Sequence, residues 1–160
     1  MTLRRAICPG TFDPITNGHV SIIRRARRLF DEVIVAVTIN LSKTPLFSDL
    51  ERVEMIRTAF AGEPGIYVET LDGLLAAYAD EKQASAIVRG LRAPSDFEYE
   101  LKMAQMNRHL NPRVDTVFLA TEADGSYVSS SLVKEVAKLG GDVSALVPDH
   151  VYTAIKAHFG

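Results

Sequence analysis

The chain has 160 residues, with 18 Lys and Arg against 20 Asp and Glu, for a formal net charge of -2. At 47% hydrophobic and 24% charged residues it carries enough apolar material for a core, which excludes general disorder. The near-neutral balance excludes a protein that lives by broad electrostatic attachment to nucleic acid. A prior of about 150 residues per domain gives one domain, residues 1–160. The one cysteine, Cys8, forms no internal disulfide and falls short of the common zinc patterns. Residues 1–8 lack the apolar run of a signal peptide, and no stretch approaches the roughly 20 apolar residues of a membrane helix. The expectation is a cytoplasmic protein without nucleic-acid or membrane partners.

Taken in order, short β-rich runs alternate with segments of helical period. Residues 5–8 read as a strand ended by Pro9-Gly10, and residues 33–39 as a strand buried on both faces. Between them Val20, Ile23, Ala26 and Leu29/Phe30 recur at helical spacing, with Arg24, Arg25, Arg27 and Arg28 on the other side, read as a solvated face. A second helix starts at Ser48, where Ser48 and Glu51 fit a capping box ahead of Val53, Ile56 and Phe60. A strand at 66–68, a helix at 74–82, a strand at 86–88, a helix at 95–110 with Glu98 capping Ser95, and a strand at 114–119 follow. Helices at 130–139 and 149–158 close the chain, separated by Gly140-Gly141 and Pro148. Five strands alternating with helices imply an α/β fold, a Rossmann-like doubly wound five-stranded parallel sheet with helices on both faces. Ligands of such sheets bind beyond the carboxyl ends of the strands, at the topological switch point.

The turn-rich passage from Pro9 to His19 follows the first strand and ends at a helix N-terminus, where unpaired N–H groups and the helix dipole attract anions. Gly10 and Gly18 allow a phosphate to approach the backbone. Neither the P-loop pattern nor Gly-x-Gly-x-x-Gly is present. A lone His19 is more often a capping histidine than a catalytic one, and Thr16-Asn17-Gly18 more often a plain turn. Position changes the balance: Lys43 follows the second strand, Arg89 and Arg92 the fourth, and Ser129-Ser130-Ser131 the fifth, so all should reach one rim of the sheet.

These residues carry a resemblance across essentially the whole chain. Thr16-Asn17-Gly18-His19 resembles the Thr/His-x-Gly-His signature of the nucleotidyltransferase superfamily, and Val128-Ser129-Ser130-Ser131-Leu132-Val133-Lys134 its second signature. With Pro-Gly-Thr-Phe-Asp-Pro at 9–14, Arg-Gly-Leu-Arg at 89–92, Asp-Phe-Glu-Tyr-Glu at 96–100 and Met-Asn-Arg-His-Leu at 106–110, the chain is similar to the bacterial phosphopantetheine adenylyltransferase family. It departs in Asn40-Leu41-Ser42-Lys43, where many relatives have Asn-Pro before the lysine, in Cys8 for an aromatic residue, and in Pro94 for an aliphatic one.

The resemblance implies transfer of the adenylyl group of ATP to 4'-phosphopantetheine, giving 3'-dephospho-coenzyme A and pyrophosphate, with magnesium accompanying ATP. It also implies a homohexamer, and coenzyme A is a candidate feedback ligand. Carried over position by position, His19, Lys43 and Arg92 are catalytic. Thr11, Phe12, His19, Gly90, Leu91, Arg92, Glu100, Gly125, Ser126, Tyr127, Val128, Ser129, Ser130 and Ser131 contact ATP. Thr11, Lys43, Leu75, Arg89, Asn107 and Glu135 meet the acceptor, and no residue is assigned to a metal.

The chemistry agrees. A phosphate nucleophile is already about -1.5 to -2 at neutral pH, so no base need remove a proton. The task is to bring two polyanions together, which calls for cations and oriented N–H donors. In-line displacement at the α-phosphorus without a covalent intermediate is expected, and retention of configuration would overturn it. Other residues read more plainly: Cys8 as core, His109, His150 and His158 without metal-ligand spacing, and Met103 and Met106 as core or interface packing. The alternatives are another transferase of the superfamily, with glycerol phosphate or nicotinamide mononucleotide as a partner, or a nucleotide-binding regulatory module without turnover.

Overall fold

A computed structural model describes residues 2–39, 44–125 and 128–160, with the backbone alone at Ser95. The elements follow the expected order: β1 (Arg5–Gly10), α1 (Asn17–Leu29), β2 (Glu32–Thr38), α2 (Asp49–Ala59), β3 (Ile66–Leu71), α3 (Leu75–Glu81), β4 (Ala86–Leu91), α4 (Pro94–Leu110), β5 (Asp115–Ala120), a 3-10 turn (Ala123–Gly125), α5 (Ser130–Lys138) and α6 (Asp149–Phe159). The five strands form one parallel sheet in the order β3-β2-β1-β4-β5. The chain therefore winds outward from β1 in one direction and then from β4 in the other, which makes β1/β4 the switch point.

Strand alternation sorts the core into two layers. Ala6, Cys8, Val33, Val35, Val37, Ala86 and Val88 face α1, α2, α5 and α6, where Ile23, Ala26, Ile56, Val133, Val151 and Ile155 are fully or almost fully buried. Ile7, Ile34, Ala36 and Ile87 face the other way, onto Tyr78 and Ala79 of α3, with α4 packed outside against α3, β4 and β5. The helices thus cover both faces. The capping box at Ser48 and Glu51 is present, with each side chain bonded to the other's backbone N–H.

Several expectations are corrected. β1 does not stop at Cys8: Pro9 and Gly10 stay paired with Ala36 and Val37 of β2, because the missing Pro9 N–H removes one donor without breaking the extended path. β3 and β4 likewise run on, to Leu71 and Leu91, which puts Arg89 inside β4 and not in the loop after it. Glu98 is not a cap. The helix begins at Pro94, a favoured residue for the first turn, and Glu98 pairs with Lys102 one turn on.

The α1 arginines are not simply a solvated face either. Arg24 pairs with Glu63, while Arg25 and Arg27 donate to the carbonyls of Ala120 and Pro64, tying α1 to the end of β5 and to the turn before β3. Met103 and Met106 are outside the core, 40% and 53% exposed, because the inner side of α4 already meets α3, β4 and β5.

Candidate active site

The site begins where a ladder stops. β1 and β4 pair only at Ala6 with Ala86 and Ile7 with Ile87, whereas β1 stays paired with β2 out to Gly10. Beyond Ile7 the two strands part. Arg89 fills the mouth of the gap: its Nη1 donates to the Pro9 carbonyl at 3.0 Å, and its Nε and Nη2 donate to the two carboxylate oxygens of Glu100 at 2.9 and 2.7 Å. Such a two-pronged pair is rigid and strong for its size.

His19 occupies the first turn of α1, and its geometry joins the two readings of its motif. The Thr16 hydroxyl accepts the His19 backbone N–H at 3.3 Å, and His19 Nδ1 accepts the Thr16 backbone N–H at 3.0 Å. The imidazole thus takes the part that Glu or Gln plays in an ordinary capping box. A backbone amide cannot surrender its proton, so Nδ1 is held as an acceptor and the neutral ring carries its proton on Nε2. Removal from water, then the charges of Arg92 and Arg89, lower the pKa of His19 to about 4. The ring is neutral at physiological pH. The Phe12 ring meets it edge-on, with centroids 5.0 Å apart.

The N-terminus of α5 closes the opposite side. Ser129 caps the helix, its hydroxyl accepting from Leu132 N–H at 3.1 Å, and the Ser130 hydroxyl donates to the Pro14 carbonyl at 2.7 Å. Both serine hydroxyls hold structure, which leaves the first-turn backbone N–H groups as the donors for an anion. Arg92 reaches the Val128 carbonyl at 3.0 Å and lies 3.5 Å from Asp96.

Two cavities result. The larger, about 470 Å³, takes in Thr11, Phe12, His19, Gly90, Arg92, Glu100, Gly125, Val128, Ser129 and Ser130 of the expected nucleotide contacts. The smaller, about 340 Å³, takes in Thr11, Leu75, Arg89 and Asn107 of the expected acceptor contacts. They share Pro9, Gly10, Thr11, Arg89, Tyr99 and Glu100 as a common wall. Leu91, Ser131 and Glu135 line neither cavity; Leu91 turns its carbonyl to Thr121, and Ser131 and Glu135 are exposed. Lys43, Ser126 and Tyr127 lie outside the described residues. Cys8 lies against the larger cavity, and burial pushes its thiol up to about 12, so it is a core group and not a nucleophile.

Comparison with known proteins decides the family. Cytidylyltransferase-like proteins as a family match residues 7–136. A phosphopantetheine adenylyltransferase of Nocardioides sp. is 55% identical over 155 residues, covering 97% of both chains. Those of Shouchella clausii and Nitratidesulfovibrio vulgaris are 53% and 54% identical over 154 and 155 residues, covering 96% and 97% of this chain and 97% and 83% of theirs. The chain belongs to the phosphopantetheine adenylyltransferase family.

Sequence reading missed two buried charges in this phosphopantetheine adenylyltransferase fold. Asp13 accepts the backbone N–H groups of Leu46 and Phe47, each at 2.9 Å, and Lys134 Nζ at 2.8 Å. Lys134, the basic residue of the second signature, thus turns inward beneath the loop. Arg52 of α2 is 2% exposed and donates to the Thr11 and Thr38 carbonyls. The signal for Asp13 was an acidic residue inside an otherwise apolar, turn-rich run; for Arg52 there was none, since helical charge normally reads as surface.

Proposed function

We propose that this chain transfers the adenylyl group of ATP to 4'-phosphopantetheine, forming 3'-dephospho-coenzyme A and pyrophosphate in coenzyme A biosynthesis, with ATP in the larger cavity and the acceptor in the smaller. The observation that carries this reading is the common wall: two compartments meet at Thr11 and the Arg89–Glu100 pair, as a reaction joining a nucleotide to a second phosphate requires. An acceptor phosphate oxygen forms a bond to the α-phosphorus of ATP while the bond to the bridging oxygen breaks, and pyrophosphate leaves in line. No base is needed. His19 donates its Nε2–H to the phosphate oxygens as a neutral group, Arg92 adds charge, and the first-turn N–H groups of α1 and α5 supply oriented dipoles. Thr11 stands where the two phosphates meet, and Asn107 and Leu75 line the path of the acceptor's arm. Lys43 is assigned to the acceptor phosphate by resemblance alone.

Magnesium enters as part of the nucleotide substrate. Among the described residues no three His, Cys, Asp or Glu side chains converge as a metal site, and Asp13 and Glu100 are each engaged by a cation. Among the described residues no helix is long and apolar enough to cross a membrane, which suits a cytoplasmic enzyme. We further assign the exposed apolar side of α4 that carries Met103, Met106 and Leu110 to subunit contacts of a homohexamer. Coenzyme A, which contains both halves of the product, would compete for both cavities.

Pyrophosphate release with MgATP tests the reading, offering 4'-phosphopantetheine, unphosphorylated pantetheine, glycerol 3-phosphate and nicotinamide mononucleotide in turn, with the product identified by mass. Dephospho-coenzyme A from 4'-phosphopantetheine alone is expected. Turnover with a different acceptor, or ATP binding without any turnover, would overturn it.

A further inference from the structure

The loop between β1 and α1 holds Phe12 at φ 50, a left-handed backbone conformation that a bulky residue adopts only when its surroundings enforce it. The enforcement comes from both sides. Asp13, the next residue, is fixed by Leu46 N–H, Phe47 N–H and Lys134. Thr11, the residue before, has its carbonyl held by Arg52 Nη1 at 2.7 Å. The same Nη1 reaches the Thr38 carbonyl at 3.2 Å, and Nη2 pairs with Asp49.

Arg52 is an expensive way to fill space. It is among the largest fully buried side chains, its partner Asp49 is half exposed, and its Nε is buried with no hydrogen-bond partner among the described residues. A buried charge of this kind is a poor device for stability, since an apolar side chain of similar volume commonly serves as well or better. What a guanidinium does that an apolar chain cannot is bind two carbonyls at a fixed separation. Here those carbonyls are the last residue of β2 and the first residue after β1. Thr11 lines both cavities, and Thr38 lines the smaller one just before the segment that carries Lys43.

We propose that Arg52 is a positioning residue that sets Thr11 against the exit of β2 and thereby the acceptor side of the site. The inference rests on the reading that the smaller cavity receives 4'-phosphopantetheine. Arg52 touches no substrate. It acts through two backbone carbonyls, and its influence falls on acceptor binding more than on ATP, because both residues it holds, Thr11 and Thr38, line the smaller cavity while only Thr11 lines the larger.

The test compares Arg52→Met, Arg52→Lys and Asp49→Asn with the wild type by steady-state kinetics, thermal melting and amide hydrogen exchange of residues 9–16 and 130–138. For Arg52→Met the expected result is an acceptor KM raised about tenfold with the ATP KM within about twofold, and faster exchange at residues 11–13 with α5 unchanged. Arg52→Lys, which keeps the charge but not the fork, should recover the melting temperature more fully than the acceptor KM. Equal rises in both KM values, or unchanged exchange at residues 11–13, would overturn the proposal. Should Arg52→Met fail to fold, Arg52→Lys and Asp49→Asn are read by the same two criteria. If the wild type does not use 4'-phosphopantetheine, the functional reading fails, while the exchange comparison still decides whether Arg52 fixes the loop.

Discussion

The loop between β1 and α1 and the helix α4 border the same cavities but are built in opposite ways. In the loop, polar groups are turned inward and matched: Thr16 with His19, Asp13 with Lys134 and two amides, the Pro14 carbonyl with Ser130, and the Thr11 carbonyl with Arg52. In α4 the charges are mostly outside, while Tyr99, Met106 and Leu110 are 65%, 53% and 49% exposed. One region reaches a single geometry within its own chain. The other has apolar surface left over for something else to cover. Preorganised catalysis depends on the first kind of construction and association on the second, so substitutions in the two regions should fail differently.

The largest effect should come from the imidazole. His19→Ala is expected to lower kcat by about 10²- to 10³-fold, as loss of one oriented transition-state donor does elsewhere. His19→Gln sharpens the point, because glutamine can retain the capping box: its stability should stay near wild type while kcat remains low. Equal kcat for wild type and His19→Gln in the pyrophosphate assay would break the assignment. Lys134→Met removes the ammonium that pairs with the buried Asp13 carboxylate and leaves it two amide donors among the described residues, which should cost about 3 kcal/mol in urea unfolding. Gly10→Ala brings a Cβ to 3.0 Å from the Phe12 ring, which packs on His19. A few tenths of an ångström passed on to the imidazole should lower kcat about tenfold, with thermal stability little changed.

The pH dependence is smaller and its sign is fixed. Burial holds the His19 pKa at about 4, against the 6.5 of an imidazole in water, so between these pH values the unfolded chain binds a proton that the native chain does not. The wild type should therefore lose stability relative to His19→Gln as pH falls from 6.5 to 4. A constant difference across that window would mean the ring is charged in the fold. Smallest of all for the folded subunit is Met106→Glu, expected within about 0.5 kcal/mol of wild type in stability, yet to reduce the mass of the assembly in light scattering. An unchanged mass would remove Met106 from the subunit contact.

How much of this was legible depended on whether the signal was local. The helix start at Ser48 and the continuous apolar runs of β2 and β4 are written within a few positions, and the parallel sheet followed from them. The ends of β1 and β4 were not, because Pro9 and Arg89 break a local pattern that pairing with a neighbouring strand restores. The candidate residues on the rims of β1, β4 and β5 converge on the cavities; Leu91, Ser131 and Glu135 stay off them, although they sit in or next to the same motifs. A motif gives adjacency in sequence, and a helix or strand end directs alternate residues away from the site it supports. Arg52 was illegible for the reverse reason: it stands 41 residues from Thr11, in a helix whose charges otherwise read as surface.

The contacts between α5 and the loop also fix an order of assembly. Ser130 and Lys134 reach back 116 and 121 residues to Pro14 and Asp13, and they follow the last strand of the sheet. During synthesis all five strands leave the ribosome before the residues that fasten the loop do. A nascent chain halted after β5 has every strand it needs and still lacks the latch beneath the loop between β1 and α1, so on the proposed reading competence to react arrives with the second signature and not with the sheet.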